Sequence, residues 1–551
     1  MLKKKFNFNI WTLVTLCIFL LVVVFLLYPL LILFISGFRT PRTGEFTLSN
    51  FALFFSRRFY YSAFFNSIQV TAAVTAICLA MGVPMAYLMA SCKVRGKQFL
   101  EILIIISMMS PPFIGAYSWI LMLGRNGFVT NLLSGTFGIR IGSIYGFAGI
   151  ALVFSLRLYP LVYLFTSGAL GRLDTSLLEA SENLGCHPLK RLFSVTVHLI
   201  LPSVLAGALL VFTNAFSDFG TPMMIGEGFR VMPVLIYVEF VGEVGGSAHF
   251  ASALSMMMVL VTVAVFIFQR WIVNKKSYEM SNSRYIEPEK MKPLKSIIVH
   301  LFIYTVVFLS TLPMVTIIVS SFRNTRGPIF IEGWSLDNYK EAFARSGFTV
   351  FNTYRFALIA VLIVFVLAMA IAYVSVRQKN ILTNLLDIAT MFPLIISGTV
   401  MGITLLQAFN SRPVLLSGTS SILIIAFVIR RMPFTIRSSS AILRQLSIST
   451  EEASISLGYT PLQTFWRITA PMMMSGVISG LILSWVSIIN ELSASIILYT
   501  GRTATMSVSV YIEVFRNNYG IASALSTILT VTIVISLLIF FKATGKKSIS
   551  L

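Results

Sequence analysis

Two acidic residues lie at matching positions in strongly apolar surroundings. Asp218 and Glu491 are 273 residues apart, and each ends the fifth apolar run of its half of the chain. An acidic side chain at bilayer depth costs about 2.5–3.5 kcal/mol on insertion scales, so it is seldom left without a role. Two carboxylates on a translocation path would suit a cation, including a hard metal ion such as ferric iron. Solvation at the outer headgroup level, or capping of a helix end, would explain both residues equally well.

A short polar segment recurs at the same offset. The shared residues are Glu179, Ala180, Ser181 and Gly185 in the first copy and Glu452, Ala453, Ser454 and Gly458 in the second. The Glu-Ala-Ser stretch predicts a short helix, and the glycine predicts its end or a tight turn. A polar helix–glycine–helix hairpin between two apolar runs is a surface that a soluble partner protein can bind. Two matched copies favour a docking surface over an ordinary loop.

The composition predicts a polytopic membrane protein. Of 551 residues, 57% are hydrophobic and 11% are charged, whereas soluble domains carry about 25% charged residues. The net charge is +22, but the basic residues cluster at the ends of apolar runs, as in membrane proteins, so we expect no nucleic-acid partner. The four histidines are far apart and form no metal-ligand set: His187, His198, His249 and His300.

Twelve apolar runs are long enough to cross a bilayer, which takes about 20 residues. The first six lie near 11–36, 66–90, 100–123, 143–169, 199–221 and 250–273. The second six lie near 296–321, 351–376, 384–409, 418–440, 471–492 and 518–541. Pro111-Pro112 and Pro393 fall at matching places in the third run of each half and are compatible with a kink.

The distribution of lysine and arginine predicts the orientation. Basic residues are dense before the first run, in the linker 274–295 and in the tail after 541. By the positive-inside rule, both termini, the linker and both hairpins should therefore be cytoplasmic. The outer connection 37–65 carries four arginines and breaks the trend.

The two halves repeat each other beyond the hairpins. Ala251-Ser252-Ala253-Leu254-Ser255 recurs letter for letter at 522–526. Because six spans is an even number, both halves keep the same orientation, which makes this a parallel repeat. We expect an all-α fold of two six-helix repeats: a first domain at 1–273, a cytoplasmic linker at 274–295 and a second domain at 296–551.

The hairpin spacing resembles the hallmark of permeases from binding-protein-dependent type I ABC importers, in which Glu-Ala-Ala is followed by Gly and then Ile-x-Leu-Pro. The second copy also matches at Ile468 and Pro471, whereas the first departs with Val195, Val197 and His198. The resemblance covers nearly the whole chain. It implies a multi-pass inner-membrane protein whose hairpins couple to two copies of a cytoplasmic ABC ATPase, with an extracytoplasmic binding protein delivering the substrate.

No Gly-x-x-x-x-Gly-Lys-Ser/Thr motif occurs in the sequence, so the chain has no phosphate-binding loop of its own. We expect neither enzymatic activity nor a cofactor in this chain, because ATP and Mg²⁺ would bind the partner ATPase. The resemblance favours alternating access driven by ATP hydrolysis in that partner.

The substrate is less constrained than the class. The fused halves and the segment Ser217-Asp218-Phe219-Gly220-Thr221 look most like ferric iron permeases, while fused relatives also carry thiamine or 2-aminoethylphosphonate. A secondary transporter driven by an ion gradient is a remoter alternative, since twelve spans in two parallel halves also describe that class. The paired hairpins argue against this alternative, because a secondary transporter has no ATPase to dock there.

Overall fold

Helices make up nearly all of the regular structure, in agreement with the all-α prediction. The exception is a two-stranded antiparallel sheet of β1 (Arg323–Arg326) and β2 (Ile329–Trp334). The computed structural model describes residues 10–40, 43–138, 142–171, 173, 175–187, 190, 192–242, 246–275, 291–327, 329–378 and 380–544. The predicted linker therefore lies largely outside the described residues, and the domain boundaries stay a prediction.

The first half contains twelve described helices. They are α1 (Ile10–Gly37), α2 (Ser49–Ser56), α3 (Arg58–Ser91), α4 (Lys97–Met109), α5 (Pro112–Leu123), α6 (Phe128–Phe137), α7 (Phe147–Leu170), α8 (Thr175–Asn183), α9 (Val197–Ser217), α10 (Gly220–Ile225), α11 (Met232–Val241) and α12 (Ala248–Lys275). A π-helical turn lies inside α1, and another precedes α9.

The second half repeats this order. Its described helices are α13 (Pro293–Ser321), α14 (Asp337–Arg377), α15 (Ile381–Ala389), α16 (Phe392–Ile395), α17 (Gly398–Ala408), α18 (Ser420–Gln445), α19 (Ser449–Ser456), α20 (Pro461–Ile489), α21 (Ser495–Leu498), α22 (Met506–Phe515) and α23 (Tyr519–Thr544). The short helices α10, α11, α21 and α22 lie between the fifth and sixth spans, where the sequence analysis placed only a connection.

Nine helices in the described ranges are long and apolar enough to cross a membrane, and eleven spans result if each of two bent helix pairs counts as one. Each of these overlaps one of the twelve predicted apolar runs. The remaining run, near 418–440, is helix α18. It has 26 residues, including four arginines, and at 1.5 Å per residue it is also long enough to cross. Its arginines lower its mean hydropathy below that of the other spans.

The third span of each half is broken, as the prolines predicted. In the first half the two segments meet at about 100° around Pro111, and in the second half they meet at 115° around Ile396. Pro112 begins α5, and Pro393 lies in the one-turn helix α16. Proline lacks an amide hydrogen and clashes with the preceding turn, so a helix readily stops or bends there.

The second and fourth spans, α3 and α7, run side by side in the same direction. The Cys78 thiol of α3 donates to the Ser155 carbonyl of α7, and a β-carbon added at Gly82 would approach Val162. Because the residue numbers of the contacting positions increase together along both helices, the carboxyl-terminal ends of α3 and α7 lie on the same face of the protein. That face carries the 92–97 connection and the first hairpin.

The first span of each half packs on the opposite half. The amino-terminal part of α1 contacts α14 and α15, and its carboxyl-terminal part contacts α17. Conversely, α13 contacts α4, α5 and α7, and Val299, Ile303 and Val307 belong to the apolar core of the first half. The halves are thus joined through exchanged helices as well as through the linker.

Candidate coupling hairpins and buried ion pairs

Both hairpins end their helix with the same backbone motif. In the first, the Gly185 amide donates to the Glu182 carbonyl and the Cys186 amide donates to the Ser181 carbonyl. This pair of hydrogen bonds defines a Schellman motif, which requires a left-handed residue after the helix. Gly185 supplies it with a φ of +76°. The predicted helix stop is therefore present.

The second hairpin matches this geometry. The Gly458 amide donates to Ile455 and the Tyr459 amide donates to Ser454, with φ of +93° at Gly458. A β-carbon added at either hairpin glycine would meet nothing within 4 Å. Glycine is needed here for its backbone conformation and not for space.

Each hairpin presents one face outward and keeps one face against the protein. Glu179, Ala180, Glu452 and Ala453 are exposed, whereas Ser181 and Ser454 are buried. The Ser454 hydroxyl lies 2.9 Å from that of Thr464 at the start of the following span. The predicted docking residues thus divide into an outer set and an inner set that attaches the hairpin to the protein.

An exposed leucine precedes each hairpin glycine. Leu184 is 87% exposed and Leu457 is 81% exposed, and they are again 273 residues apart. Because the two leucines lie at equivalent sites, we add them to the candidate docking residues. The sequence analysis missed these leucines, although the repeat offset marks them.

A buried ion pair attaches the second hairpin to α14. The Arg377 Nε donates to Glu451 Oε1 at 2.9 Å, and the Tyr373 hydroxyl donates to Glu451 Oε2 at 3.0 Å. Arg377 also donates to the Leu446 carbonyl at 3.1 Å. Glu451 directly precedes the outward-facing Glu452, so helix α19 is attached to α14, the span beside it.

An aromatic cluster extends this attachment to the other half. Trp11 of α1 lies 4.3 Å from Tyr373 and 5.1 Å from Phe465, measured between ring centroids. Phe465 begins the π-helical turn that follows the second hairpin. The first span of the first half therefore contacts both Tyr373, which binds Glu451, and Phe465, which follows the second hairpin.

The first hairpin has a different residue at the key position. The 273-residue offset places Leu178 opposite Glu451. A leucine cannot accept hydrogen bonds from arginine or tyrosine, so the first hairpin has no carboxylate at this position. The two hairpins share their backbone motif and differ in the residue at this position.

Asp218 caps a short helix and pairs with an arginine. Helix α9 ends at Ser217, and Asp218 Oδ1 accepts the Thr221 amide at 2.9 Å in the first turn of α10. Its other oxygen lies 3.1 Å from the Arg157 guanidinium of α7. Asp218 is 9% exposed, so the charge is buried and compensated.

Glu491 repeats this arrangement with one more positive charge. Its Oε1 accepts the Ala494 amide at 3.1 Å ahead of α21, and it forms ion pairs with both Arg430 and Arg431 of α18. Arg430 is the 273-residue counterpart of Arg157, whereas Arg431 answers Leu158. The cluster of Arg430, Arg431 and Glu491 therefore carries a net charge of +1.

The structure differs from the expectation of two carboxylates open to a cation. Asp218 and Glu491 both accept hydrogen bonds from a helix start and both face guanidinium groups, because an unpaired carboxylate inside an apolar bundle is costly. Helix capping was the alternative that the sequence left open. A place on the substrate path stays a prediction for both residues.

The two helix breaks meet between the halves. A β-carbon added at Gly220 would lie 3.2 Å from Leu492 and 3.1 Å from Phe113. Phe219 and Leu492, which are counterparts in the repeat, belong to one apolar cluster. Each ion pair therefore holds one helix break at this contact between the two halves, which we call the seam. The arginines were a missed signal, since they recur at the same offset inside apolar runs.

Comparison with known proteins assigns the same architecture to both halves. The family model described as the binding-protein-dependent transport system inner membrane component matches residues 82–278 and again 363–547. These two matches contain both hairpins and both ion pairs.

Curated relatives cover most of the chain. The ferric transport system permease protein FbpB of Actinobacillus pleuropneumoniae is 30% identical over 96% of this chain and 77% of its own length. The putative ferric transport system permease protein FbpB 1 of Haemophilus influenzae is 30% identical over 89% of this chain and 78% of its own length.

A shorter relative matches about one half. The spermidine/putrescine transport system permease protein PotB of Haemophilus influenzae is 27% identical over 46% of this chain and 91% of its own length. This agrees with a duplicated unit. The chain therefore belongs to the family of binding-protein-dependent transport system inner membrane components, with two such domains in one polypeptide.

Proposed function

We propose that this chain is the membrane permease of an ATP-driven ferric iron importer. The observation that carries the proposal is the pair of hairpins with identical Schellman ends and an exposed leucine at each tip. The iron assignment is supported by the two ferric permease relatives, which match nearly the whole chain, whereas PotB matches one half.

The energy comes from a separate subunit. The sequence has no phosphate-binding loop. The exposed side of each hairpin presents a glutamate and a leucine to a partner. Two ATPase copies, one beneath each hairpin, account for the duplication. An extracytoplasmic binding protein delivers the iron on the opposite face.

The orientation follows the same logic. The hairpins, the 92–97 connection, both termini and the linker lie in the cytoplasm, where the positive-inside rule places dense lysine and arginine. Family membership removes the support for an ion-gradient-driven transporter, because a facilitator has no binding protein to accept substrate from.

Transport proceeds by alternating access. When ATP closes the two ATPases, they draw the hairpins together, and each hairpin moves the spans to which it is attached. The halves rock about the seam where Gly220 meets Leu492. The ion pairs of Asp218 and Glu491 keep each fifth span and its helix break together with the fourth span during this movement, beside the path of the substrate.

The test is uptake of labelled ferric iron in cells with and without this chain. Labelled thiamine and 2-aminoethylphosphonate serve as parallel substrates. We expect loss of iron uptake alone in cells that lack the chain, and restoration by the intact gene with its ATPase. Normal iron uptake combined with loss of another substrate would overturn the iron assignment and leave the importer assignment in place.

A further inference from the structure

A groove opens between the two halves at the end of the bundle that carries the hairpins. It has a volume of about 310 Å³ and lies between α4 of the first half and α13 of the second. Its walls are apolar and aromatic, and its mouth is formed by Arg95 and Gly96. The wall residues used below are Phe99, Leu103, Val307 and Phe308.

The mouth of the groove is held in place by α13. The Arg95 amide donates to His300 Nε2 at 3.1 Å, and the Tyr304 hydroxyl donates to the Arg95 carbonyl at 3.1 Å. Since His300 Nε2 accepts, its Nδ1 carries the hydrogen and donates to the Ser296 carbonyl at 2.7 Å. Gly96 makes the turn with a φ of +68° and has open space beside it. The entrance is therefore preformed.

Arg95 at the mouth and Lys93 and Lys97, which flank it in the sequence, carry positive charge that the described residues do not neutralise. Lys93 and Arg95 are exposed and Lys97 is half-buried, and none of the three has an acidic partner within the described ranges. The acid nearest in sequence, Glu101, accepts a hydrogen bond from Tyr163 at 3.5 Å. The guanidinium and ammonium groups are available to an anion.

The rest of the groove suits a hydrocarbon chain. Phe99 is 64% exposed and Phe308 is 61% exposed on helices that cross the membrane. Leu103 lies one turn beyond Phe99 on α4, and Val307 directly precedes Phe308 on α13. Apolar walls below a cationic mouth at the membrane surface match an anionic phospholipid, and basic pockets between spans on the cytoplasmic side are known to take such headgroups.

We propose that this groove binds one anionic phospholipid, with its phosphate at Lys93, Arg95 and Lys97 and an acyl chain between Phe99 and Phe308. The lipid touches α4 of one half and α13 of the other. It therefore bridges the two halves of the permease and stabilises the arrangement in which α4 and α13 are adjacent. This inference does not depend on which substrate is carried.

The experiment measures lipids retained by the purified full-length chain in native mass spectrometry. The chain is incubated in mixed micelles with phosphatidylglycerol or phosphatidylcholine. We expect preferential retention of phosphatidylglycerol. The variant Arg95→Gln with Lys97→Gln should weaken that retention roughly 30-fold, at about 1 kcal/mol per basic residue.

Two further variants separate the contributions. Leu103→Trp fills the groove without removing charge and should also reduce retention. Lys340→Gln with Arg345→Gln removes two exposed charges at the start of α14, where each pairs with an acid, and should change nothing. Equal retention of both lipids by the wild type, or unchanged preference in both groove variants when they elute as the wild type does, would overturn the proposal.

Discussion

The ring of Trp11 lies 4.3 Å from the ring of Tyr373, although the two residues belong to opposite halves of the chain. The Tyr373 hydroxyl donates to Glu451, the neighbour of the outward-facing Glu452. The first span of one half is thus two side-chain contacts away from Glu451, which directly precedes the predicted docking residue Glu452 of the other half. Movement of α1 can reach the second hairpin without passing through the linker.

Trp11→Ala should loosen the second hairpin and spare the first. Removing a buried tryptophan ring costs about 3–5 kcal/mol, and here the loss falls on Tyr373 and Phe465. Hydrogen exchange of residues 449–458 should become faster while that of residues 175–183 is unchanged. Trp334→Ala is the control, because that ring is 69% exposed and lies in β2, away from the cluster. Equal acceleration in both hairpins would contradict the cross-half contact.

Arg377→Gln should release the second hairpin from α14. Breaking a buried ion pair by removing one partner costs about 3–5 kcal/mol, since it leaves the other charge uncompensated. We expect ATPase activity in the assembled complex to lose its coupling to transport. Arg345→Gln removes an exposed pair with Glu341 and should have almost no effect. If Arg377→Gln couples normally, Glu451 does not hold the hairpin.

Gly458→Val should abolish association with the ATPase while membrane insertion stays normal. Valine strongly disfavours positive φ, so the Schellman end cannot form. Gly458→Asn should retain most of the association, because asparagine tolerates the left-handed region. Co-purification of the ATPase measures both variants. Gly185→Val and Gly185→Asn test the first hairpin in the same way, and normal co-purification of either valine variant would refute its docking role.

Leu184→Ser and Leu457→Ser should each weaken ATPase association by roughly 10- to 150-fold without lowering the stability of the permease. Both side chains are almost fully exposed, so folding gains little from them, whereas a buried leucine at an interface contributes about 1.5–3 kcal/mol. Titration of the ATPase onto reconstituted permease measures the change. Leu415→Ser, at another exposed leucine, is the control.

Glu491→Gln should destabilise the permease more than Asp218→Asn. The first change leaves Arg430 and Arg431 without a carboxylate, whereas the second leaves Arg157 alone. Thermal unfolding in detergent measures the order. Adding Arg431→Leu, which copies Leu158 of the first half, should recover part of the loss.

The same two carboxylates test the substrate path. Iron uptake by Asp218→Asn with Glu491→Gln should fall if these groups act on the cation, provided that the protein is present at normal levels in the membrane. Unchanged uptake would restrict both residues to holding the helix breaks.

The repeat made most of the fold predictable. Apolar length located the spans, the prolines at 111, 112 and 393 marked the breaks, and Gly185 and Gly458 marked the helix ends. These features depend on local sequence and on comparison of one half with the other. Helix α18 is the weakest case, because four arginines lower its hydropathy and two of them, Arg430 and Arg431, are compensated by Glu491 from another span.

The contacts between spans were not predictable in the same way. Pairing Asp218 with Arg157 requires the relative register of α7 and α9, which no local pattern specifies. The exchange of first spans is hidden for a related reason. A repeat aligns Trp11 with its own half, while packing places it against Tyr373 of the other half.

The exchanged first spans set a problem of timing during synthesis. Trp11 enters the membrane early, yet Tyr373 is translated about 360 residues later, which takes roughly 20–70 s at ordinary elongation rates. During that interval the apolar face of α1 that will meet α14 has only lipid or a helper protein to cover it. Fusion of the two halves guarantees that the missing surface arrives on the same nascent chain.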